Sequence, residues 1–415
     1  MKCEMLGQCG ASAEASDPLA DFIAGAVDVA RYEEREAYSL SEARAALRWV
    51  PRRLAPLRQA DMLVCTFPTV LCVLVHELFP SRPMLFVAIA NPLFAAPGCI
   101  KQEDSTVREC QTEEAQEYLV ALRSLLTEST STVQAVAAYS VTTALLGFQA
   151  GVQLPLAGKA GRYLPASASW RLERHGQVLL ARSRFFDTAF GSNLRTIIAG
   201  FRQALRSPID FVLQQEVAAF LSYEEISRFR SVVILPQDLG LHKFTEHYAM
   251  SMPIWMPSRE MAYRLQMFVP WGMVSYSGTW RGDIYRGTDD DEPRPDSTHR
   301  LQPPTQDWAE GVASAFPHPP WFNAQTVPYQ LVKVAFWYEF SEFVSYPGVQ
   351  VFDSIPALIT ESSTADLFEI SATMRRFRAE LWQTTRAVYA AAASRLADGA
   401  AKSMSQTEGG DAAAE

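Results

Sequence analysis

The stretch that decides the fold is Val232–Ser258, which reads VVILPQDLGLHKFTEHYAMSMPIWMPS. It begins as an apolar strand that stops at Pro236 and continues through a loop into a short helical piece that contains Glu246. A second apolar strand follows at once and also stops at a proline. A strand, a helix and a strand in this order form a βαβ unit, in which the two strands run parallel.

The same alternation extends in both directions along the chain. Strand-length apolar runs lie at 61–68, 83–91, 132–140, 178–184, 231–235 and 253–256, and helical segments separate them. We therefore predict an α/β fold with parallel sheets and two domains. The predicted organisation is a disordered N-terminus at 1–16, domains at 17–170 and 171–364, a long helix at 365–396 and a disordered tail at 397–415.

Composition and charge narrow the function classes. The chain has 415 residues, of which 48% are hydrophobic and 20% charged, which fits a two-domain globular enzyme. Its net charge of −9 argues against nucleic-acid binding through a basic surface. The N-terminus has no signal-peptide pattern and the apolar run at 67–75 is too short to cross a bilayer. We expect a cytoplasmic chain without a transmembrane segment, an expectation that additional upstream sequence would change.

All six cysteines lie in the first 110 residues, and no two of them form a CxxC motif. Cys65 and Cys72 have apolar neighbours and are interpreted as packed thiols in a reducing compartment. No group of cysteines and histidines has zinc spacing. The acidic run TDDDE at 288–292 lies among prolines and is interpreted as a solvated loop, so we expect no metal.

The opening stretch carries a motif with a fixed spacing. Seven residues separate Asp238 from Glu246, and Ser251 and Pro253 follow Glu246 by five and seven positions. This spacing resembles the acid-x7-Glu donor motif of retaining glycosyltransferases with the GT-B fold, in which EAMASGLPV corresponds to EHYAMSMPI here. Two features depart from that family, because Asp238 replaces glutamate and Ser251 replaces glycine.

The chain is also similar to poorly characterised eukaryotic transferase-like sequences. Those sequences couple an aDxxxCsfP segment with an ExYAMxxPxxxPS segment, which here are ADMLVCTFP and EHYAMSMPIWMPS. The resemblance to GT-B enzymes covers 170–390 moderately and 60–165 weakly. It implies two Rossmann-like domains that face a central cleft, with the long C-terminal helix crossing back to the first domain.

The resemblance also implies a role for each residue of the motif. Glu246 would bind the ribose of a nucleoside-diphosphate sugar, and Asp238 would face the sugar as the catalytic residue. The diphosphate would face the backbone of Gly240, Leu241, His242 and Lys243. The segment LLARSRFF adds Arg182 and Arg184 as candidate phosphate ligands. The N-terminal domain would bind an unknown glycan, protein or small-molecule acceptor, and no cofactor other than the donor substrate is expected.

Several alternatives stay open at this point. Glu246, His242 and His247 are also compatible with solvated positions on an ordinary helix, and Arg182 and Arg184 with surface arginines at a strand end. The acid-x7-Glu spacing favours retention, whereas Gly240, six residues before Glu246, fits the pattern of inverting nucleotide-sugar transferases. The first clear strand begins only at 61, so the second hypothesis is a non-catalytic binding or scaffold protein of the same architecture.

Overall fold

The computed structural model describes part of the chain. The described residues are 39–48, 55–66, 69–89, 99–101, 108–110, 112–127, 132–158, 168–183, 186, 189–217, 221–236, 241–266 and 338–410. The predicted disordered N-terminus, the acidic run at 288–292, Arg184, Asp238 and Gly240 lie outside these residues.

The chain divides into two units. Unit 1 comprises Met1–Ala157, Gln306–Gln325 and Arg386–Glu415, and unit 2 comprises Gly158–Thr305 and Thr326–Thr385. Each unit contains its own parallel sheet, so the α/β class with parallel strands is confirmed. The first break between the units falls after Ala157, whereas the sequence pattern placed it after residue 170.

Unit 1 contains a three-stranded parallel sheet and a separate hairpin. Its elements are α1 (Leu40–Arg48), α2 (Ala55–Gln59), β1 (Leu63–Cys65), α3 (Thr69–Leu78), β2 (Met84–Ala88), β3 (Cys99–Lys101), β4 (Arg108–Cys110), α4 (Thr112–Thr127), β5 (Val133–Ala137) and α5 (Ser140–Ala150). The sheet has the order β1-β2-β5, and β3 pairs with β4 in antiparallel orientation.

Helix α3 forms the centre of the unit 1 core. All side chains from Thr69 to Val75 are buried, because the apolar sequence TVLCVLV covers every face of the helix. Phe86 of β2 and Tyr118 and Leu122 of α4 belong to the same buried cluster. Fully burying one such side chain contributes roughly 1.5–3 kcal/mol.

Cys65 and Cys72 form a disulfide bond, so the prediction of packed free thiols was wrong. Strand β1 ends at Cys65 and α3 begins at Thr69, and the returning helix brings the two Cα atoms to 5.6 Å. That distance lies within the span of a disulfide. The apolar neighbours indicated burial correctly for Cys72, but they carried no information about which residue the strand end would meet.

Unit 2 contains a five-stranded parallel sheet. Its first elements are β6 (Arg174–Leu180), α6 (Ala189–Ala204), β7 (Asp210–Leu213), α7 (Gln214–Val217), α8 (Tyr223–Ile226), β8 (Phe229–Val233), α9 (His242–Ala249) and β9 (Ile254–Pro257). They are followed by α10 (Arg259–Gln266), α11 (Glu342–Ser345), β10 (Gln350–Phe352), α12 (Ile355–Thr364) and α13 (Leu367–Gly410).

The strand order of this sheet is β10-β9-β8-β6-β7. Strand β7 therefore pairs with one side of β6, and β8, β9 and β10 follow in order on the other side. The direction of winding reverses between β6 and β8, and this pair is the topological switch point of the sheet. In open α/β sheets, ligands bind outside the carboxyl ends of the strands at such a point.

Helix α13 is longer than the sequence pattern indicated. It continues without interruption from Leu367 to Gly410, whereas a helix at 365–396 and a disordered tail from 397 were expected. Residues up to Thr385 belong to unit 2, and those from Arg386 onward belong to unit 1. Neither this helix nor any other in the described part of the chain is long and apolar enough to cross a membrane.

Candidate functional site

The candidate site lies at the carboxyl ends of β6 and β8. The two strands remain joined beyond their ends, because the Ala181 amide donates to the Val233 carbonyl oxygen at 2.9 Å. Further along, the Ser183 hydroxyl donates to the carbonyl oxygen of Leu235 at 3.5 Å. The chain leaves β8 at this edge and enters α9 at His242. The N-terminus of α9 therefore lies at the switch point.

Two of the residues implied by the resemblance come together here. The ammonium group of Lys243 donates a hydrogen bond to the carbonyl oxygen of Arg182. Lys243 is partly buried, whereas Arg182 is exposed. Burial, and next the charge of Arg182, lower the pKa of Lys243 to about 8. The site therefore holds a lysine whose charged form is disfavoured by its surroundings.

Gln214 is a member of this site that sequence reasoning missed. It opens α7 directly after β7, and its side-chain oxygen accepts a hydrogen bond from the Arg182 amide at 2.9 Å. No sequence signal marks it, because its position depends on β7 pairing with β6 in register, Leu213 beside Leu180. Gln214 thus holds the backbone of Arg182, whose carbonyl oxygen accepts the hydrogen bond from Lys243.

Glu246 and His247 are buried, which rules out the alternative that these two positions are solvated. Glu246 has 0% and His247 1% of its surface exposed. The helix that carries them is enclosed: Phe244 contacts Phe343, and Tyr248 contacts Tyr346 and Phe377 at ring-centroid distances of 5.8, 4.9 and 6.0 Å. A ribose can reach Glu246 only if the chain around α9 opens.

His247 is a neutral imidazole in this environment. Its Nδ1 lies 2.6 Å from the carbonyl oxygen of Lys243, one turn earlier in α9, so Nδ1 carries the proton and donates it. Burial lowers the pKa of His247 to about 4. His247 is therefore a structural group of the helix and does not supply a positive charge to a phosphate at neutral pH.

The C-terminus of α9 explains how serine replaces the glycine of the glycosyltransferase pattern. Ser251 has a φ of +58°, in the left-handed region. Its amide donates to the Tyr248 carbonyl and the Met252 amide donates to the His247 carbonyl, which together form a Schellman motif. Glycine is the usual residue at this position. Ser251 thus keeps the backbone of the motif at a steric cost, and its buried hydroxyl has no hydrogen-bond partner among the described residues.

The other predicted residues are placed as follows. Leu241 is buried and precedes α9 as its N-cap, without a side-chain hydrogen bond. His242 is the first residue of the helix, and the structure describes only its backbone. The described residues contain no group of three or more His, Cys, Asp or Glu side chains that would hold a metal ion.

No protein-family model matches the chain, and no curated protein is significantly similar to it.

We expect Ser251→Gly to stabilise the protein by about 1 kcal/mol, because glycine adopts the left-handed conformation without the clash of a Cβ atom. Urea unfolding of the wild type and the variant measures the difference. Ser251→Ala is the matched control, since it removes the unpaired hydroxyl and keeps the Cβ atom. A gain in Ser251→Ala equal to that in Ser251→Gly would contradict backbone strain as the cause.

Acid should destabilise the protein through His247. The pKa of His247 is lower in the folded chain than its ordinary value of 6.5, so the unfolded chain binds a proton more readily. The stabilisation is complete above about pH 6.5 and is lost as the pH falls toward 4, to a total on the order of 3 kcal/mol.

Urea unfolding at several pH values between 7 and 4 tests this expectation. The dependence of unfolding free energy on pH should be shallower in His247→Gln than in the wild type. His175→Gln, at an exposed position of β6, is the control and should retain the wild-type dependence. Equal slopes in the wild type and His247→Gln would show that His247 does not carry the effect.

Proposed function

We propose that the chain is a glycosyltransferase of the GT-B type that takes its sugar from a nucleoside-diphosphate donor. The observation that carries the proposal is the meeting of Lys243 and Arg182 beside the N-terminus of α9 at the switch point of the unit 2 sheet. The acid-x7-Glu resemblance supplies the donor class, and the position at the carboxyl edge of a parallel sheet is where α/β proteins bind such ligands.

Electrostatics favour an anion at this position. The two effects that lower the pKa of Lys243 are burial and the neighbouring charge of Arg182. The N-terminus of α9 adds the positive end of a helix dipole. The negative charge of a diphosphate would be attracted by Lys243, Arg182 and the helix N-terminus. Its binding would therefore favour the charged form of Lys243.

The remaining roles follow the resemblance. Asp238 would face the sugar, the backbone from Gly240 to Lys243 would hold the diphosphate, and Glu246 would bind the ribose after α9 becomes accessible. Unit 2 would be the donor domain and unit 1 the acceptor domain of a two-domain transferase. Transfer in such a site requires donors aimed at the charge that develops on the leaving diphosphate, a role suited to Lys243 and Arg182.

A non-catalytic protein of the same architecture is the second candidate, and two observations favour it. The Lys243 ammonium already donates to the Arg182 carbonyl, and the Arg182 amide already donates to Gln214. Glu246 has no exposed surface. In a scaffold these contacts would be permanent, whereas in an enzyme the donor would displace them.

Thermal unfolding of the full chain with UDP, GDP and their common sugars tests the proposal. A ligand at 100 times its dissociation constant should stabilise the protein by about 2.7 kcal/mol, which appears as a clear rise in melting temperature. Lys243→Met keeps an unbranched side chain of similar length and removes its charge. It should weaken binding about tenfold or more, as expected for one lost charge-assisted contact. Arg376→Met, at an exposed position of α13, is the control and should bind like the wild type.

The outcomes separate the two candidates. Stabilisation by one nucleotide that Lys243→Met loses, together with slow hydrolysis of the matching nucleotide sugar that Asp238→Asn abolishes, supports the enzyme. Binding without hydrolysis or transfer supports the non-catalytic protein. A folded chain that responds to none of these nucleotides contradicts donor binding at this site.

A further inference from the structure

The β3–β4 hairpin of unit 1 is short and carries a cysteine on each of its strands. Its two strands, Cys99–Lys101 and Arg108–Cys110, pair in antiparallel orientation and form a sheet of their own. The register places Cys99 opposite Cys110, Ile100 opposite Glu109 and Lys101 opposite Arg108. The cysteine pair therefore lies at the open end of the hairpin, away from its turn.

Backbone pairing alone is a weak support for such a hairpin. A single two-stranded hairpin is marginally stable in water. Here the ladder contains only three pairs, and one of them sets Lys101 against Arg108. Like charges directly opposite each other destabilise an antiparallel pair. The remaining pair that can hold the two strands together strongly is the pair of cysteines.

The backbone geometry suits a covalent bond at that pair. Residues directly opposite each other in an antiparallel ladder have Cα atoms about 4.5 or 5.5 Å apart, and a disulfide spans roughly 4.4–6.8 Å. In the same unit Cys65 and Cys72, with Cα atoms 5.6 Å apart, are already joined. We propose that Cys99 and Cys110 form a second disulfide bond, which fastens the open end of the hairpin.

The bond would form by thiol–disulfide exchange with an external disulfide, such as glutathione disulfide or a protein oxidant. The thiolate of one cysteine attacks a sulfur of the oxidant and displaces one thiol as a mixed disulfide forms. The second cysteine then attacks that mixed disulfide, forms the Cys99–Cys110 bond and releases the second thiol. Two electrons and two protons pass to the oxidant. Two disulfides in one unit place the maturation of the chain in an oxidising compartment.

Peptide mapping of the full chain tests the proposal. The protein is produced by secretion, its free thiols are blocked with N-ethylmaleimide at collection, and it is digested without reductant by trypsin and a glutamyl endopeptidase. Cleavage at Arg58, Glu77 and Lys101 leaves Cys65 and Cys72 in one peptide, 59–77, and Cys99 in another, 78–101. Cleavage after Arg108 or Glu109 separates Cys110 from both.

The expected product is peptide 78–101 joined to the peptide of Cys110, which reductant separates. The internal disulfide of peptide 59–77 serves as the control for preserved oxidation. Cys99 and Cys110 found with maleimide, or joined to other cysteines, would overturn the proposal.

A variant separates a specific bond from accidental oxidation. In Cys110→Ser, Cys99 should carry maleimide while peptide 59–77 keeps its disulfide, and the melting temperature should fall. Cys3→Ser is the control and should leave both the linked peptides and the melting temperature unchanged. If Cys99 of the Cys110→Ser variant joins another cysteine and the melting temperature stays at the wild-type value, the pairing is accidental and the proposal fails.

Discussion

The burial of helix α9 from Phe244 to Ala249 is the constraint on which the rest of unit 2 depends. The helix has eight residues, and those from Phe244 to Ala249 are all buried. Aromatic rings of α11 and α13 surround it, and the Tyr248 hydroxyl donates to the Pro347 carbonyl at 2.7 Å. Its C-terminus is held by the Schellman motif and by Arg378, which donates to the Ala249 carbonyl. Because both the sides and the end of the helix are held, its N-terminus is fixed at the switch point between β6 and β8.

Enclosure also determines the electrostatics of the site. Burial disfavours the charged form of Lys243, and the neighbouring charge of Arg182 disfavours it further. The same enclosure keeps His247 neutral, since its one described hydrogen bond is to a backbone carbonyl. Lys243 and Arg182 therefore place positive charge at the N-terminal end of α9. Glu246, one turn further along the helix, is buried. Under the proposed function, a diphosphate would lie against Lys243 and Arg182, and its ribose would lie against Glu246.

The sequence predicted the positions of helices and strands better than it predicted which of them contact one another. Apolar runs with prolines at their ends located β8 and β9 closely. The polar sequence HKFTEHYA left a solvated helix open as an alternative, because no local pattern indicates the aromatic rings that come from residues about a hundred positions later. Strand order and the role of Gln214 depend on contacts between distant parts of the chain. The Cys65–Cys72 bond spans only seven positions and depends on how α3 returns beside the end of β1. The helical continuation past 397 was missed because Gly and Ser in that segment favour disorder in isolation.

The most direct test of this account is the pKa of Lys243, measured by NMR on the full chain with isotope-labelled lysine and assigned with Lys243→Met. Without ligand, the Lys243 signal should titrate near pH 8, well below an ordinary lysine. Saturation with the nucleoside diphosphate that stabilises the chain should raise that pKa by about one unit or more, because the bound anion favours the charged amine. A Lys243 pKa near 10.5 in the free protein, or a depressed pKa that no nucleotide changes, would contradict the claim that this site is built for a diphosphate.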